Sequence, residues 1–292
     1  MSNLPSTAAV ATRNAVPPKR FKLPILVWIS FAWLALIVAL VFIQPFLPLP
    51  DPNASDYSAL RMLPFSSWAH PLGTDQLGRD LLSRVISGAN VSLTVGLSST
   101  AIAVVLGTAL GATAGYFGGI WDTFVQWLND ILLAFPMLIA LIALTTFLGP
   151  SLGTLILGMG IVPAPLVARL ARSSAMGYAH RDFVSAAKAI GSSSARIIWR
   201  EILPNIAFVI MPFAITMVAL AITAEGALSF LGLGVPPPQA SWGSIMNEGR
   251  ADLRTLPYIV FIPAVVMCAT LLSISFLADW VNRLADTRES RL

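Results

Sequence analysis

The sequence has few of the residues that build catalytic and metal sites. Its 292 residues include one cysteine, Cys268, and two histidines, His70 and His180, which lie far apart along the chain. A single thiol excludes an intrachain disulfide, and no cluster of metal ligands is visible. None of the three lysines stands in a Gly-x4-Gly-Lys-Ser/Thr motif, so we find no phosphate-binding loop of that kind. With no Ser/His/Asp or paired-carboxylate arrangement either, the sequence does not predict an enzyme.

Charged residues are also scarce. They make up 11% of the chain, whereas 56% of the residues are hydrophobic; a soluble protein carries roughly 25% charged residues. The deficit indicates that lipid surrounds much of the protein. The formal net charge of +4 does not indicate nucleic acid, because the basic residues flank apolar runs in the way that membrane topology requires.

The long apolar runs predict the fold class. They are too long for barrel strands and do not alternate, and inside lipid a helix satisfies its own backbone. We therefore expect an all-α, polytopic membrane protein with about six transmembrane helices, near residues 23–46, 91–114, 125–148, 152–170, 206–231 and 257–279. Residues 1–22 are expected to form a disordered tail. Loops are expected at 47–88, with an interfacial helix around 78–87, and at 171–204 and 232–256.

The distribution of basic residues predicts the orientation. With six spans both termini share one side, and that side holds 13 of the 18 lysines and arginines. Such residues concentrate on the cytoplasmic side of a membrane. We therefore expect the termini and loop 171–204 in the cytoplasm, and loops 47–88 and 232–256 outside.

Loop 171–204 contains the pattern of a short, exposed helix. Asp182 is a candidate N-cap, and Gly191 suits a left-handed helix end. Small side chains lie between them, and the helix would be about 12 Å long. Ser192 is a candidate cap for a second helix, which Pro204 should end or bend. On these grounds alone, the sequence fits an ordinary amphipathic connector and a docking helix equally well.

The same stretch resembles the "EAA" loop of ABC-importer permeases. The family pattern is Glu-Ala-Ala, three residues, Gly, nine residues, then Ile-x-Leu-Pro. Ala186, Ala187, Gly191, Leu203 and Pro204 match at this spacing, while Ser185 and Glu201 stand where the family has Glu and Ile. In the family this loop forms a coupling helix that seats on the nucleotide-binding subunit. The resemblance thus implies a coupling role for Asp182, Ser185, Ala186, Ala187, Gly191, Leu203 and Pro204.

Further motifs are similar to the C-type permeases of the dipeptide, oligopeptide and nickel group. They are Leu72–Asp75 with Gly78–Arg84, Gly115–Gly119, Asp130 with Leu133–Pro136, and Leu228–Gly234 with Pro236, Pro237, Trp242 and Gly243. The resemblance implies a type I importer bundle in the bacterial inner membrane. It also implies a homologous second permease, two ATPase subunits that bind ATP and magnesium, and an extracytoplasmic solute-binding protein. This chain itself would need no cofactor.

Some residues inside the predicted spans are candidates for function or packing. Glu225 is an acid in the fifth span, where a charge costs about 2.5–3.5 kcal/mol. It could line the pathway and meet a cationic group, or form a structural hydrogen bond. Gly107, Gly111 and Gly115 repeat every four residues and favour close helix packing. Asp130 is expected to cap a helix or pair with an arginine, and Trp68 and Trp242 to anchor loops at the membrane interface or to contact a binding protein.

Two alternatives compete with import of di- or oligopeptides. A homologous importer could carry nickel, glutathione or another small solute. A stand-alone secondary transporter or channel would instead show inverted repeats and several intramembrane charges. The sequence shows no repeat and essentially one mid-span acid.

Overall fold

The protein folds into α-helices. The computed structural model describes residues 25–289, with side chains as far as Leu284, so the predicted tail of residues 1–22 lies outside the described residues. Within this range we find eleven α-helices and no strand: α1 (Ile25–Ile43), α2 (Leu81–Phe117), α3 (Gly119–Ala134), α4 (Met137–Leu148), α5 (Leu152–Ile161), α6 (Ala164–Ala179), α7 (Asp182–Ala189), α8 (Ser194–Ile197), α9 (Leu203–Phe230), α10 (Trp242–Gly249) and α11 (Tyr258–Glu289).

The helices provide five or six membrane spans. Five stretches are long and apolar enough to cross a bilayer, namely Ile25–Phe46, Leu81–Phe117, Leu152–Ala179, Ser194–Phe230 and Tyr258–Leu284. The pair α3 and α4 makes a sixth if it counts as one span. The predicted all-α, multi-pass fold is therefore confirmed.

The second span begins earlier than predicted. Residues 78–87 were expected to form an interfacial helix apart from the span, but Leu81 starts one helix of 37 residues. Asp80 caps it, because its carboxylate accepts a hydrogen bond of 2.7 Å from the Ser83 backbone N–H. The buried Arg84 can remain in this helix because it pairs with Glu248 of α10. The preceding loop consequently ends at residue 80.

The third span is bent rather than straight. An angle of 84° separates α3 from α4 at Phe135 and Pro136. Phe135 has an extended backbone (φ −91°, ψ 130°), as expected for a residue whose helical conformation would clash with a following proline. Ion pairs tie α3 to α6, including one of 2.6 Å between Asp130 and Arg169. The predicted arginine partner of Asp130 is thus present.

Pro204 neither ends nor breaks the helix in which it lies. The stretch Ser194–Phe230 is one continuous helical span. A five-residue π-helical segment, Ile198–Ile202, precedes the proline and provides the irregular turn that its ring needs. The Glu201 carbonyl accepts a hydrogen bond of 2.5 Å from the Asn205 side chain. Of the two outcomes expected at Pro204, a helix end or a bend, the helix end is therefore wrong.

Helix α2 lies at the centre of the bundle and defines its two ends. It packs on α5, α6 and α9. The end where α2 begins holds the segment 47–80 and α10, which are joined by a 2.9 Å hydrogen bond from Gln76 to the Glu248 carbonyl. The end where α2 finishes holds α7, since the Lys188 ammonium lies 5.1 Å from the ring centre of Tyr116. The two expected sites, α7 and the outer loops, therefore occupy opposite ends.

Candidate functional site

Segment 182–191 is an exposed helix with one fully buried side chain. Val184 of α7 is fully buried in a core cluster that also contains Ile197, Ile198, Ile202 and Ile206. Ser185 and Ala186 are exposed, and Ala187 is half-buried. One face of α7 is anchored by Val184, and the small side chains of Ser185, Ala186 and Ala189 are exposed at this end of the bundle.

Gly191 ends this helix in a left-handed conformation. Its φ is +80°. The Ser192 N–H donates to the Ala187 carbonyl at 3.0 Å, and the Gly191 N–H to the Lys188 carbonyl at 3.0 Å. This pair of bonds is the Schellman motif, which a glycine favours because a Cβ would strain the left-handed position. The end of the helix is therefore fixed by backbone geometry.

Both predicted N-caps are displaced by one residue. Arg181 is the extended residue before α7, and Asp182 is the first helical residue, with no capping bond from its side chain. Its charge still suits the helix N-terminus electrostatically. The Ser193 hydroxyl, not that of Ser192, accepts the capping bond of 3.4 Å from the Arg196 N–H. The backbone is extended at residues 181 and 193, so each helix begins at the next residue. Sequence composition alone could not tell which of two adjacent residues precedes the helix.

Large apolar side chains are exposed in and close after α7 along the chain. Ile190 is 83% exposed and Trp199 72% exposed, and Phe183 is also exposed. Leu203 packs partly against the core below, and Pro204 is exposed. The residues of the predicted coupling motif thus divide into an exposed group in 182–191 and Leu203, which packs partly on the core.

The glycines of α2 lie against α6. A Cβ placed at Gly107 would lie 2.6 Å from the Ala164 carbonyl oxygen, one at Gly111 2.2 Å from that of Ala168, and one at Gly115 2.5 Å from that of Arg172. The matching order along both helices shows that α2 and α6 run parallel in close contact. Because α6 ends two residues before α7, this contact supports the position of the 182–191 segment.

Glu225 lies at a buried junction of α2, α9 and α10. Its side chain is fully buried. One carboxylate oxygen accepts a 2.8 Å hydrogen bond from Ser92, and the other a 2.6 Å bond from Ser229. The Trp242 backbone N–H donates to the Ser92 hydroxyl at 3.4 Å. Among the described residues Glu225 forms no ion pair.

Trp242 is part of the core, contrary to the expectation of an interface anchor. It is fully buried, and its indole N–H donates to the Val85 carbonyl at 3.0 Å. The reason is that α10, expected as part of a loop, folds back onto α2, α9 and α11. Trp68, by contrast, is 99% exposed.

A buried ionic cluster at the same end was not predicted. Arg84 is 1% exposed and bonds Glu248 at 2.8 Å. Arg79 bonds Asp75 at 2.6 Å and also Glu248. Two positive and two negative side chains offset one another, which is the condition for keeping charges buried. The sequence signal was the density of charges in 75–84, but their partner Glu248 is more than 160 residues away.

Comparison with known proteins places the chain in a family. The profile of the family described as "Binding-protein-dependent transport system inner membrane component" matches residues 107–291. The glutathione transport system permease protein GsiD of Pectobacterium atrosepticum is 32% identical over 254 residues, covering 87% of this chain and 84% of that protein. This chain belongs to the family of binding-protein-dependent transport system inner membrane components. A protein of Brucella suis named as a peptide transport system permease is 36% identical over 263 residues, with 89% and 87% covered.

Solved structures agree on the fold. The chain is similar to one in inward-facing structures of the MetNI methionine ABC transporter, with a TM-score of 0.56, 18% identity, and 70% and 96% of the two chains covered. An amino acid ABC transporter gives a TM-score of 0.52 at 17% identity, with 69% and 94% covered. These likenesses concern the fold alone.

The predicted resemblance to the peptide/nickel group of ABC-importer permeases is confirmed. The chain is a multi-pass permease subunit of an ABC importer, a transport component rather than an enzyme. As such it works in the membrane together with ATPase partners.

Proposed function

We propose that this permease carries short peptides into the cell and that segment 182–191 couples it to its ATPase partners. The observation that carries the proposal is the exposed, small-residue face of α7, bordered by Ile190 and Trp199 and fixed by the Gly191 turn. A groove on another protein can approach the backbone of such a face closely because Ser185, Ala186 and Ala189 have short side chains.

The coupling path follows from the packing. A push on α7 passes through Val184 into the cluster with Ile197, Ile202 and Ile206, which lies at the start of α9. It also reaches α6 through the two-residue link between Ala179 and Asp182. Since α9 and α6 both pack on α2, a displacement of α7 at one end of the bundle can separate helices at the other end.

The proposed assembly contains this chain, a homologous second permease, two ATPase subunits and an extracytoplasmic binding protein. ATP and Mg²⁺ would be bound by the ATPases. The α7 end and both termini would lie in the cytoplasm, in agreement with the excess of basic residues on that side. The end of the bundle that holds α10 and the segment 47–80 would lie outside, on the side of the binding protein.

The proposed cargo is a short peptide. Two groups of relatives support this class, one named for glutathione and one for peptides. Glutathione is itself a tripeptide, so both names describe the same chemistry: an ammonium group, amide bonds and a carboxylate.

We propose Glu225 as the pathway residue that meets the ammonium group of the cargo. Ser92 and Ser229 occupy both carboxylate oxygens in this conformation. The contact with cargo therefore requires that α2 and α9 separate. If Glu225→Gln leaves uptake and cargo preference unchanged, the pathway role is wrong.

The coupling proposal is tested by Ala186→Glu, which adds a bulky charge to the exposed face of α7 without touching the core. The reconstituted importer should retain its subunits but lose peptide-stimulated ATP hydrolysis and uptake. Ala54→Glu, the same change at an exposed alanine near the other end, is the matched control. Normal coupling in Ala186→Glu would refute the assignment.

A further inference from the structure

A loop with an uncharged central stretch lies beside the start of the last span. We call residues 59–75 the clip. Between Arg61 and Asp75 the sequence contains no acid, lysine or arginine, and the one histidine, His70, is buried against Asp80 at 3.1 Å. At the tip of the clip Phe65 is 87% exposed and Trp68 is 99% exposed.

The base of the clip is held by a network centred on Thr74. The Thr74 hydroxyl donates to the Ala59 carbonyl and accepts from the Met62 N–H at 2.9 Å. The Thr74 N–H donates to the Met62 carbonyl at 3.1 Å. Higher up, the Phe65 N–H donates to the Pro71 carbonyl at 3.0 Å. These bonds join the two sides of the loop. The conformation of the tip therefore does not depend on packing of the Phe65 and Trp68 rings.

The clip is attached to the first residue of the last span. The Tyr258 hydroxyl lies 2.8 Å from both the Met62 and the Thr74 carbonyl oxygens. Tyr258 is the first residue of the last span. Phe261 and Val265, which are exposed on that span, lie three and seven residues further along and so share the face of Tyr258. The clip therefore continues an apolar, outward-facing stripe.

The backbone of the tip is strained. Phe65 has a φ of +63° and Arg61 a φ of +54°, a region that bulky residues rarely occupy. Strain of this kind persists where the surroundings over-determine the conformation, and it is concentrated at functional positions. Here its effect is to keep a large aromatic ring exposed.

We propose that the clip is a membrane-interface anchor, in which Phe65 and Trp68 enter the boundary between lipid headgroups and acyl chains beside α11. Aromatic side chains are enriched at this depth because an apolar ring and a polar edge are both accommodated there. The lipid surface is the favoured occupant because the tip is uncharged and continues the exposed stripe of the last span. The anchor would hold the base of the clip, and with it the start of α2, at a fixed depth.

The test uses the assembled importer in lipid nanodiscs and a chain in which Cys268→Ser removes the only thiol. Trp68→Cys and Phe65→Cys each carry a nitroxide label, and Ser55→Cys, on an exposed stretch between Asp51 and Asp56, is the control. Power-saturation electron paramagnetic resonance compares collisions with oxygen, which concentrates in lipid, and with a water-soluble nickel complex. Peptide-stimulated ATP hydrolysis shows that each labelled importer is folded.

We expect oxygen collisions to exceed nickel collisions at positions 65 and 68, and the reverse at position 55. A label at 65 and 68 that is as open to nickel as the control would overturn the proposal. Protection from both reagents would also overturn it, because a protein partner, not lipid, would then cover the clip. A water-open clip would leave the coupling role of α7 untouched, so the two proposals fail separately.

Discussion

Adding one methyl group at Gly111 should force α2 and α6 apart. The new Cβ would lie 2.2 Å from the Ala168 carbonyl oxygen and 2.8 Å from the Ala171 Cβ, whereas ordinary contact begins at 3.4 Å. The nearest atom belongs to the backbone, so no side-chain rotation can relieve the clash, and one helix must move by about 1 Å. Overpacking a tight interior costs about 1–3 kcal/mol. We expect the upper part of this range for Gly111→Ala.

Gly177→Ala is the matched control on α6. A Cβ there meets no atom within 4 Å, and the position is helical. Alanine is favoured over glycine in a helix by up to about 1 kcal/mol, less near a helix end. Gly177→Ala should therefore be neutral or slightly stabilising, and the two variants should differ by about 3 kcal/mol.

The assay is equilibrium unfolding of the purified chain in mixed micelles with increasing sodium dodecyl sulfate, followed by the near-ultraviolet circular dichroism of its eight tryptophans. Gly111→Ala should unfold at a clearly lower detergent fraction than wild type, and Gly177→Ala at the same or a higher fraction. If both alanine variants unfold together with wild type, α2 and α6 are not in close contact, and the support inferred for α7 is lost.

Substitutions at three more positions give further predictions. Gly191→Val, with a Cβ-branched side chain at φ +80°, should lower peptide-stimulated ATP hydrolysis, whereas Gly191→Asn, which tolerates this conformation, should retain most of it. Glu225→Ala should lower the free energy of unfolding by about 1–3 kcal/mol because it leaves the Ser92 and Ser229 hydroxyls without their acceptor. Arg84→Met should destabilise by about 3 kcal/mol, since it leaves a partly buried Glu248 with one fewer cation.

Each of these predictions has a clear contrary result. Equal coupling in the valine and asparagine variants at position 191 would show that the left-handed turn is dispensable. Wild-type stability of Glu225→Ala would show that the serine bonds contribute nothing to the junction. For Arg84→Met, unchanged stability in the same detergent titration would show that Glu248 is fully satisfied by Arg79.

The membrane spans were predictable because lipid imposes a length and a composition on each helix separately. The left-handed Gly191 and the glycine face of α2 lie where the sequence placed them, because both depend on the local backbone or on a four-residue repeat. The repeat did not predict the partner of this face, which is α6.

Most of the features that we did not predict from the sequence depend on contacts between distant segments. Trp242 looked like a loop residue because the window around it is short and mixed, yet the Val85 carbonyl and the α2–α9 surface draw it into the core. Likewise Arg84 suggested an external loop, because its partner Glu248 was not recognisable in advance. Pro204 seemed to end a helix, since a π-helical turn ahead of a proline has no sequence signature of its own.

The central claim is that the 182–191 segment faces the cytoplasm and touches an ATPase subunit. The most direct measurement places a single cysteine at Ala186, in a chain with Cys268→Ser, and applies a thiol cross-linker to the assembled importer in inverted membrane vesicles. The account predicts a cross-link to the ATPase and no labelling by an impermeant thiol reagent added to intact cells. Labelling from outside the cell, or a cysteine that cross-links to no ATPase although uptake is normal, would contradict it.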